Sequence, residues 1–244
     1  ENYYGIKNTQ LIPVLGYTFS GWHADGLHDM HRGLPVLTTM YNPMKWQTRG
    51  GGQTLFTSGV KALERLETDL IDELRECVVA YMRSPNDEYP DESRRINSGP
   101  SYMTDDGTRR VGFGADPHDA SAGLRDFTLT HEHAIGGGRH PCIHNHPVTG
   151  QESLYVSPCK AVYLLDATSG EIRHDIEGTV EILSQALSPS AKKGVRYEHH
   201  WKEGDFVAWL NTLTLHSATD PVDIEGSRLM HRVRLSTPIA EKCC

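Results

Sequence analysis

The sequence predicts a mainly β protein with flanking helices. Three observations carry that expectation. From Val195 to Ser236 the chain breaks into short extended runs separated by turn residues. Pro35 to Tyr41 (Pro-Val-Leu-Thr-Thr-Met-Tyr) is rich in β-branched and aromatic residues, which suit a pleated surface. Ser58 to Met82 and Ile176 to Leu187 carry apolar residues at three- and four-residue spacing, the mark of an amphipathic helix. With 244 residues and no internal repeat, the chain is expected to form one domain over 1–244.

Composition narrows the partners. Formal net charge is −8, from 24 basic and 32 acidic residues, and no Lys/Arg-rich run appears, so nucleic acid is not an expected partner. The apolar runs are short, so no transmembrane helix is expected. The start, Glu1-Asn2-Tyr3-Tyr4, has neither an initiator Met nor a basic-then-apolar leader; it reads as a trimmed N-terminus without a signal peptide. The cysteines (Cys77, Cys142, Cys159, Cys243, Cys244) are five, with no C-x-x-C spacing. Free thiols in a reducing, cytoplasmic setting fit them better than a disulfide framework.

In chain order, Leu11 to Leu15 reads as a short strand that Pro13 assigns to a sheet edge. Trp22-His23-Ala24-Asp25-Gly26 follows. On an extended segment His23 and Asp25 point the same way and can reach one point. An imidazole nitrogen and a carboxylate oxygen on one side of a metal are part of a 2-His-1-carboxylate triad, which suits non-haem Fe(II). In a chain with 14 histidines such a pair also arises by chance, so the third ligand decides. His28, Asp29 and His31 read as solvated or as standing behind the pair. Gly50-Gly51-Gly52 allows a tight positive-φ turn, after which Thr54 re-enters extended structure.

Ser58 to Met82 reads as one helix, with Leu63, Leu66, Leu70, Leu74, Cys77 and Tyr81 on its apolar face and Thr57 or Ser58 as its cap. From about 84 to 138 periodicity is lost among Pro, Asp, Ser and Gly clusters. This stretch reads as an active-site lid insert, and His131-Glu132-His133 within it as polar loop. His140, His144 and His146 form a rival metal-binding group, followed by a Pro147–Gly150 hairpin turn and a Leu154–Ser157 strand. The Ile176–Leu187 helix stops at Ser188-Pro189. Val195–Trp201, Phe206–Leu210 and Leu213–His216 read as strands joined by turns at Lys202–Asp205 and Asn211-Thr212. Leu229 to Ser236 alternates, with Leu229, His231, Val233 and Leu235 on one face and Met230, Arg232, Arg234 and Ser236 on the other.

The ordered set of His23-x-Asp25, a Gly-Gly-Gln-Thr turn ending at Thr54, W-x-x-G-D-x-x-x-W-x-N-x-x-x-x-H from Trp201 to His216, Arg228, and Met230-His231-Arg232 resembles one family over nearly the whole chain. It is the taurine dioxygenase / 2,4-dichlorophenoxyacetate dioxygenase family of Fe(II)/2-oxoglutarate-dependent oxygenases. The resemblance implies a double-stranded β-helix (jelly roll), with His23, Asp25 and His216 as Fe(II) ligands and as the catalytic centre. It implies that Arg228 and Thr54 hold the distal carboxylate of 2-oxoglutarate, and that Arg232 contacts a small anionic substrate. The implied reaction consumes O2 and 2-oxoglutarate, releases succinate and CO2, and hydroxylates, desaturates or cyclises at an unactivated C–H bond. Asp25 keeps the metal's carboxylate, which argues against halogenation. The His140–Gly150 stretch also resembles a family segment that lies outside the metal site. Leu210 and Leu215 stand where the taurine enzyme has polar residues, and His23 comes earlier in the chain than in most members. The competing reading is a cupin-like metal-dependent isomerase, lyase or metal binder that does not use 2-oxoglutarate. Arg228 and Thr54 discriminate, because such a protein needs no carboxylate clamp.

Overall fold

The computed structural model describes residues 22–27, 35–81, 98–103, 109–113, 125–128, 137–158, 161–191, 194–219, 225–226 and 228–236. The expectations placed on Leu11–Leu15, on His28, Asp29 and His31, on His131–His133, and on Cys159, Cys243 and Cys244 lie outside the described residues.

The described chain is mainly β. Strand β1 (Pro35–Tyr41) is followed by β2 (Thr54–Ser58) and two short helices, α1 (Gly59–Leu63) and α2 (Thr68–Arg75). Then come β3 (Cys77–Tyr81), β4 (Ser98–Met103), β5 (Arg109–Phe113), β6 (Arg125–Thr128), β7 (Arg139–Pro141), β8 (Ile143–Asn145) and β9 (Glu152–Leu154). The chain continues through β10 (Ala161–Asp166), β11 (Ile172–His174), helix α3 (Ile176–Leu187), β12 (Tyr197–His199), β13 (Phe206–Leu210), β14 (Thr214–Ala218) and β15 (His231–Ser236). Among the described residues no helix is long and apolar enough to cross a membrane.

Two three-stranded antiparallel sheets matter for the site. One has the order β13-β1-β15, the other β12-β2-β14. They face each other through rings: Phe56 of β2 meets Trp209 of β13 edge-on at 5.2 Å, and Trp209 lies 5.0 Å from His216 of β14. In the first sheet Thr38 is in register with Trp209 on one side and Arg234 on the other, and Met40 with Val207 and Arg232. That row turns inward. The opposite row leaves Val233 54% and Leu235 55% exposed. The alternation expected for Leu229–Ser236 is present: on the arginine face Arg234 is half-buried, and Arg232 reaches the Asp25 carboxylate while staying half exposed.

Beside these sheets lies a four-stranded sheet of order β11-β10-β3-β7, covered by the helices. Leu74, Val79, Leu164, Leu183 and Leu215 are fully buried in one cluster that also contains Trp22 and Leu27. Burying each such side chain contributes roughly 1.5–3 kcal/mol. Helix α3 begins where Asp175 accepts from Gly178 N (2.9 Å) and ends at Ser188, as the sequence leads one to expect.

The single helix expected over Ser58–Met82 is wrong. Ser58 does cap a helix, accepting from Lys61 N, but the helix ends at Leu63, restarts at Thr68 and gives way to strand β3 at Cys77. Spacing misleads here because Cys77 and Tyr81 are four apart, which one helix turn and two strand pleats satisfy equally. Val78 and Val79 between them favour the strand, and Cys77, Val79 and Tyr81 are all buried on it. The 84–138 stretch also holds more regular structure than expected: β4, β5 and β6 form an antiparallel meander. The Pro147–Gly150 turn does join a hairpin, β8 to β9, with Gly150 at φ 69°.

Candidate metal centre

The His23–Asp25 segment is fastened from three sides. His23 forms one antiparallel bridge to His216, each N–H donating to the other's carbonyl at 3.0 Å. Ala24 N donates to Val156 O (3.2 Å). Asn211 Oδ1 accepts from Asp25 N (2.9 Å), while its Nδ2 donates to Asp25 O (2.9 Å) and to Pro35 O (3.2 Å). The chain then turns through Gly26 at φ 76°, where a Cβ would stand 2.5 Å from Pro35 Cγ, so only glycine fits. The pair therefore lies at a bridge entering a turn rather than inside a strand. One bridge and one buried amide supply the orientation that a full strand was expected to supply.

The side chains converge. Asp25 Oδ1 lies 4.0 Å from His23 Nε2 and 3.7 Å from His216 Nε2, and the two imidazole rings are 4.2 Å apart. One donor atom from each residue lies within 4.8 Å of the others. Asp25 Oδ2 accepts from Thr38 Oγ1 (3.3 Å), which leaves Oδ1 facing the histidines. Asp25 and His216 are each 6% exposed. Burial pushes the His216 imidazole down to about 3, so it is neutral at physiological pH, the form that ligates metal. Burial opposes ionisation of Asp25, but the facing His216 and His23, then Arg232 and Arg234, outweigh it and hold the carboxyl below its ordinary value. An ionised oxygen and two imidazole nitrogens on one side suit a six-coordinate divalent metal.

The other predicted site residues have distinct supports. Arg232 Nη1 approaches Asp25 Oδ1 at 3.5 Å, with its side chain 48% exposed. Thr54 is buried, and its hydroxyl accepts from Trp201 Nε1 at 2.9 Å. The guanidinium of Arg228 lies over the Trp46 ring, 5.1 Å from its centre. Trp46 is fixed by its neighbour, since Gln47 and Glu225 exchange backbone hydrogen bonds of 3.0 and 2.9 Å. The rival group of His140, His144 and His146 is not brought together as a three-donor cluster. His140 instead bonds the Leu27 carbonyl, and burial pushes it down to about 4. His146 Nδ1 accepts from Thr149 N (3.2 Å) inside the hairpin turn.

The downstream motif explains itself position by position. Trp201 holds Thr54. Gly204, at φ 86°, makes the turn and donates to Asn42 O (2.8 Å). Asp205 accepts from Lys202 N (2.7 Å) and faces His199 Nε2 at 3.2 Å. Trp209 packs on His216, and Asn211 carries the Asp25 backbone. The sequence placed Trp201 and Asn211 in the motif, and Asn211 at a turn, but gave neither of them, nor Trp46, a task at the site. The fixed spacing of Trp201 and Asn211 to His216 was the available signal; Trp46 had none. A second cluster, Glu73, Cys77 and His174, was also missed. Its members come from α2, β3 and β11, and nothing in the sequence links them.

Comparison with known proteins adds three findings. A family profile described as "Taurine catabolism dioxygenase TauD, TfdA family" matches residues 6–234. Pentalenolactone F synthase of Streptomyces avermitilis is 27% identical over 93% of this chain and 64% of its own length. Alpha-ketoglutarate-dependent xanthine dioxygenase of Neurospora crassa is 30% identical over 76% of this chain and 40% of its own. The chain thus spans under two thirds of either relative. Among solved structures, AAD-2 in complex with Mn(II) and N-oxalylglycine superposes with a TM-score of 0.55 at 18% identity, covering 98% of this chain and 76% of that one. A taurine dioxygenase from Burkholderia xenovorans gives 0.53 at 19% identity, covering 88% and 58%.

Proposed function

The chain belongs to the taurine catabolism dioxygenase TauD/TfdA family, and on that premise we propose that it is an Fe(II)- and 2-oxoglutarate-dependent oxygenase acting on an unactivated C–H bond of a small anionic molecule. The observation that carries this reading is the His23–Asp25–His216 cluster, with Asp25 and His216 buried and His23 half-buried, in which one carboxylate oxygen and two imidazole nitrogens face one another. These three side chains hold the iron. Bound iron, with O2 and 2-oxoglutarate, supplies the oxidising power, and succinate and CO2 leave as coproducts. Thr38 and Asn211 keep Asp25 aimed, one through the side chain and one through the backbone.

Arg228 and Thr54 take the distal carboxylate of 2-oxoglutarate. Arginine's planar fork suits a carboxylate, and a charge-assisted hydrogen bond contributes about 1.5–3 kcal/mol. Arg232, half exposed beside Asp25, takes an anionic group of the substrate. The relatives are named for xanthine and for pentalenolactone F, so family membership alone selects no substrate; Arg232 is this chain's own argument for an anion. Hydroxylation, desaturation and cyclisation share the same first step. In this reading the two facing sheets form a double-stranded β-helix within a single domain over 1–244, residues 84–138 are its lid insert, and the protein works in the cytoplasm.

The test is anaerobic. Fe(II) and then 2-oxoglutarate are added, and the visible spectrum is recorded for the weak metal-to-ligand charge-transfer band of a chelated keto acid. The band is expected in wild type and absent in His216→Ala. Iron binding without a band would remove the clamp reading of Arg228 and Thr54 and bring forward a cupin-like isomerase or lyase. For the substrate, unchanged affinity in Arg232→Ala would sink the anion assignment.

A further inference from the structure

We propose that Trp201 is a positioning residue for the cosubstrate: its indole N–H occupies the acceptor side of the Thr54 hydroxyl and so reserves the Thr54 proton for the distal carboxylate of 2-oxoglutarate. The inference rests on the reading of Thr54 given above and adds to it a residue and a direction.

The argument begins with donor and acceptor inventories. An indole Nε1–H can only donate, whereas a threonine hydroxyl has one proton and two lone pairs. The Trp201 Nε1 to Thr54 Oγ1 hydrogen bond is 2.9 Å long, and the residues are 8% and 4% exposed. The direction of this bond is therefore fixed: Thr54 accepts. Among the described residues Thr54 Oγ1 makes no other hydrogen bond. Its proton is left to turn away from the indole. A buried hydroxyl with an unspent proton is costly unless something accepts it. A carboxylate, which only accepts, is the complementary group.

Trp201 is itself held. Its ring meets His199 edge-on at 4.4 Å, and His199 Nε2 lies 3.2 Å from Asp205 Oδ2. His199 is in register with Thr54 across β12 and β2. The indole and the hydroxyl thus belong to one rigid unit, and Asp205 at the β12–β13 turn anchors it. Free rotation of the Thr54 hydroxyl, which would let it spend its proton elsewhere, is suppressed before any ligand arrives.

The experiment is a double-mutant cycle on 2-oxoglutarate affinity, read anaerobically by titrating the charge-transfer band of the Fe(II) protein. Thr54→Val removes the hydroxyl, Trp201→Phe removes the N–H but keeps a ring, and the double variant carries both. The expected result is about tenfold or greater weakening in Thr54→Val. Trp201→Phe should weaken binding severalfold and add nothing further in the Thr54→Val background. Additive losses would mean that Trp201 acts through packing alone, and overturn the proposal. So would a Trp201→Phe protein of wild-type affinity beside a weakened Thr54→Val. Unchanged affinity in Thr54→Val would instead remove the reading of Thr54 beneath it.

Should Trp201→Phe fail to fold, the indole N–H resonances of the zinc-loaded protein supply a second readout. The Trp201 signal should move on adding 2-oxoglutarate in wild type and stay still in Thr54→Val. A signal indifferent to 2-oxoglutarate in wild type, where Thr54→Val has shown the hydroxyl to matter, counts against the proposal.

Discussion

Two clusters in this protein look alike at first. His23, Asp25 and His216 bring three potential ligand atoms within 4.8 Å of one another, and so do Glu73, Cys77 and His174. Their chemistry is opposite. Glu73 is already spent: Arg173 Nε and Nη2 donate to its two oxygens at 2.7 and 2.8 Å, and His174 Nε2 lies 2.6 Å from Oε1. Burial and the neighbouring carboxylate push the Cys77 thiol up to about 12, so no thiolate is available at neutral pH. Asp25, by contrast, has one oxygen bonded only by Thr38, and the other faces the two histidines and Arg232 across 3.5–4.0 Å. A metal-ready group is one whose facing donors are close and whose carboxylate is not tied up by short ionic hydrogen bonds. Proximity alone does not distinguish the two.

The largest effect tests that distinction directly. His216→Ala should abolish tight metal binding, read by equilibrium dialysis against Fe(II) or Mn(II), because two donors on one side do not hold the ion. Cys77→Ala should leave the metal content unchanged. If Cys77→Ala lowers it instead, the second cluster ligates and the comparison fails.

A smaller effect comes from the support behind the first cluster. Asn211 makes three hydrogen bonds to the His23–Asp25 turn and its neighbour Pro35. Groups that orient a ligand typically matter 10–100-fold in metal affinity. Asn211→Ala should weaken metal binding by about that much while the protein still folds, checked by circular dichroism. In the second cluster Arg173 binds the Glu73 carboxylate itself, so its loss should move stability and leave metal content alone.

The same contrast shows what the sequence could reveal. The first cluster was legible because its members sit in motifs: two candidate ligands share one turn, and the third ends a run whose Gly204, Asp205, Trp209 and Asn211 each carry a local task. The strands after Tyr197 were legible for the same reason, since turn residues punctuate them. Helix α3 announced itself through its apolar spacing and Ser188-Pro189 stop. The second cluster was invisible because three distant elements meet only after β3 and β11 flank β10. Strand β3 was misread as helix, which hid Cys77's neighbours. Strand β10, an apolar Ala161–Leu165 run closed by Asp166 and the Gly170 turn, carried a signal that reading for alternation passes over, because strands buried on both faces do not alternate. The Trp46–Arg228 stack pairs two loops across the fold, and no spacing encodes it.

That stack gives the next prediction. A cation over an indole face contributes about 0.5–2 kcal/mol, so Trp46→Ala should weaken 2-oxoglutarate binding roughly 2- to 30-fold by loosening Arg228, with Trp46→Phe in between. The anaerobic band titration reads it. No change in Trp46→Ala would mean that the Gln47–Glu225 bridge alone orders the loop.

The smallest effect separates the clusters by pH, in metal-free protein. The Glu73 carboxyl is lowered from 4.5 to about 2, chiefly by its hydrogen bonds from Arg173 and His174. A carboxyl depressed by folding stabilises fully above its unfolded value, and that contribution is lost as pH falls from about 4.5 through 2. His216, lowered from 6.5 to about 3 by burial, and His140, lowered to about 4, follow the same sign in a higher window, because the unfolded imidazoles take their protons first. Stability measured by denaturant at stepped pH should therefore decline in two stages. Glu73→Gln should shrink the decline below 4.5, to which His216 and Asp25 also contribute, and leave the slope between 6.5 and 4.5 as it was. The Glu73 side chain is 24% exposed, so solvent screening keeps this effect modest. If Glu73→Gln left the lower stage unchanged, the Arg173 pair would be geometry without energetic weight, and satisfied donors would no longer explain why that cluster differs from the metal-ready one.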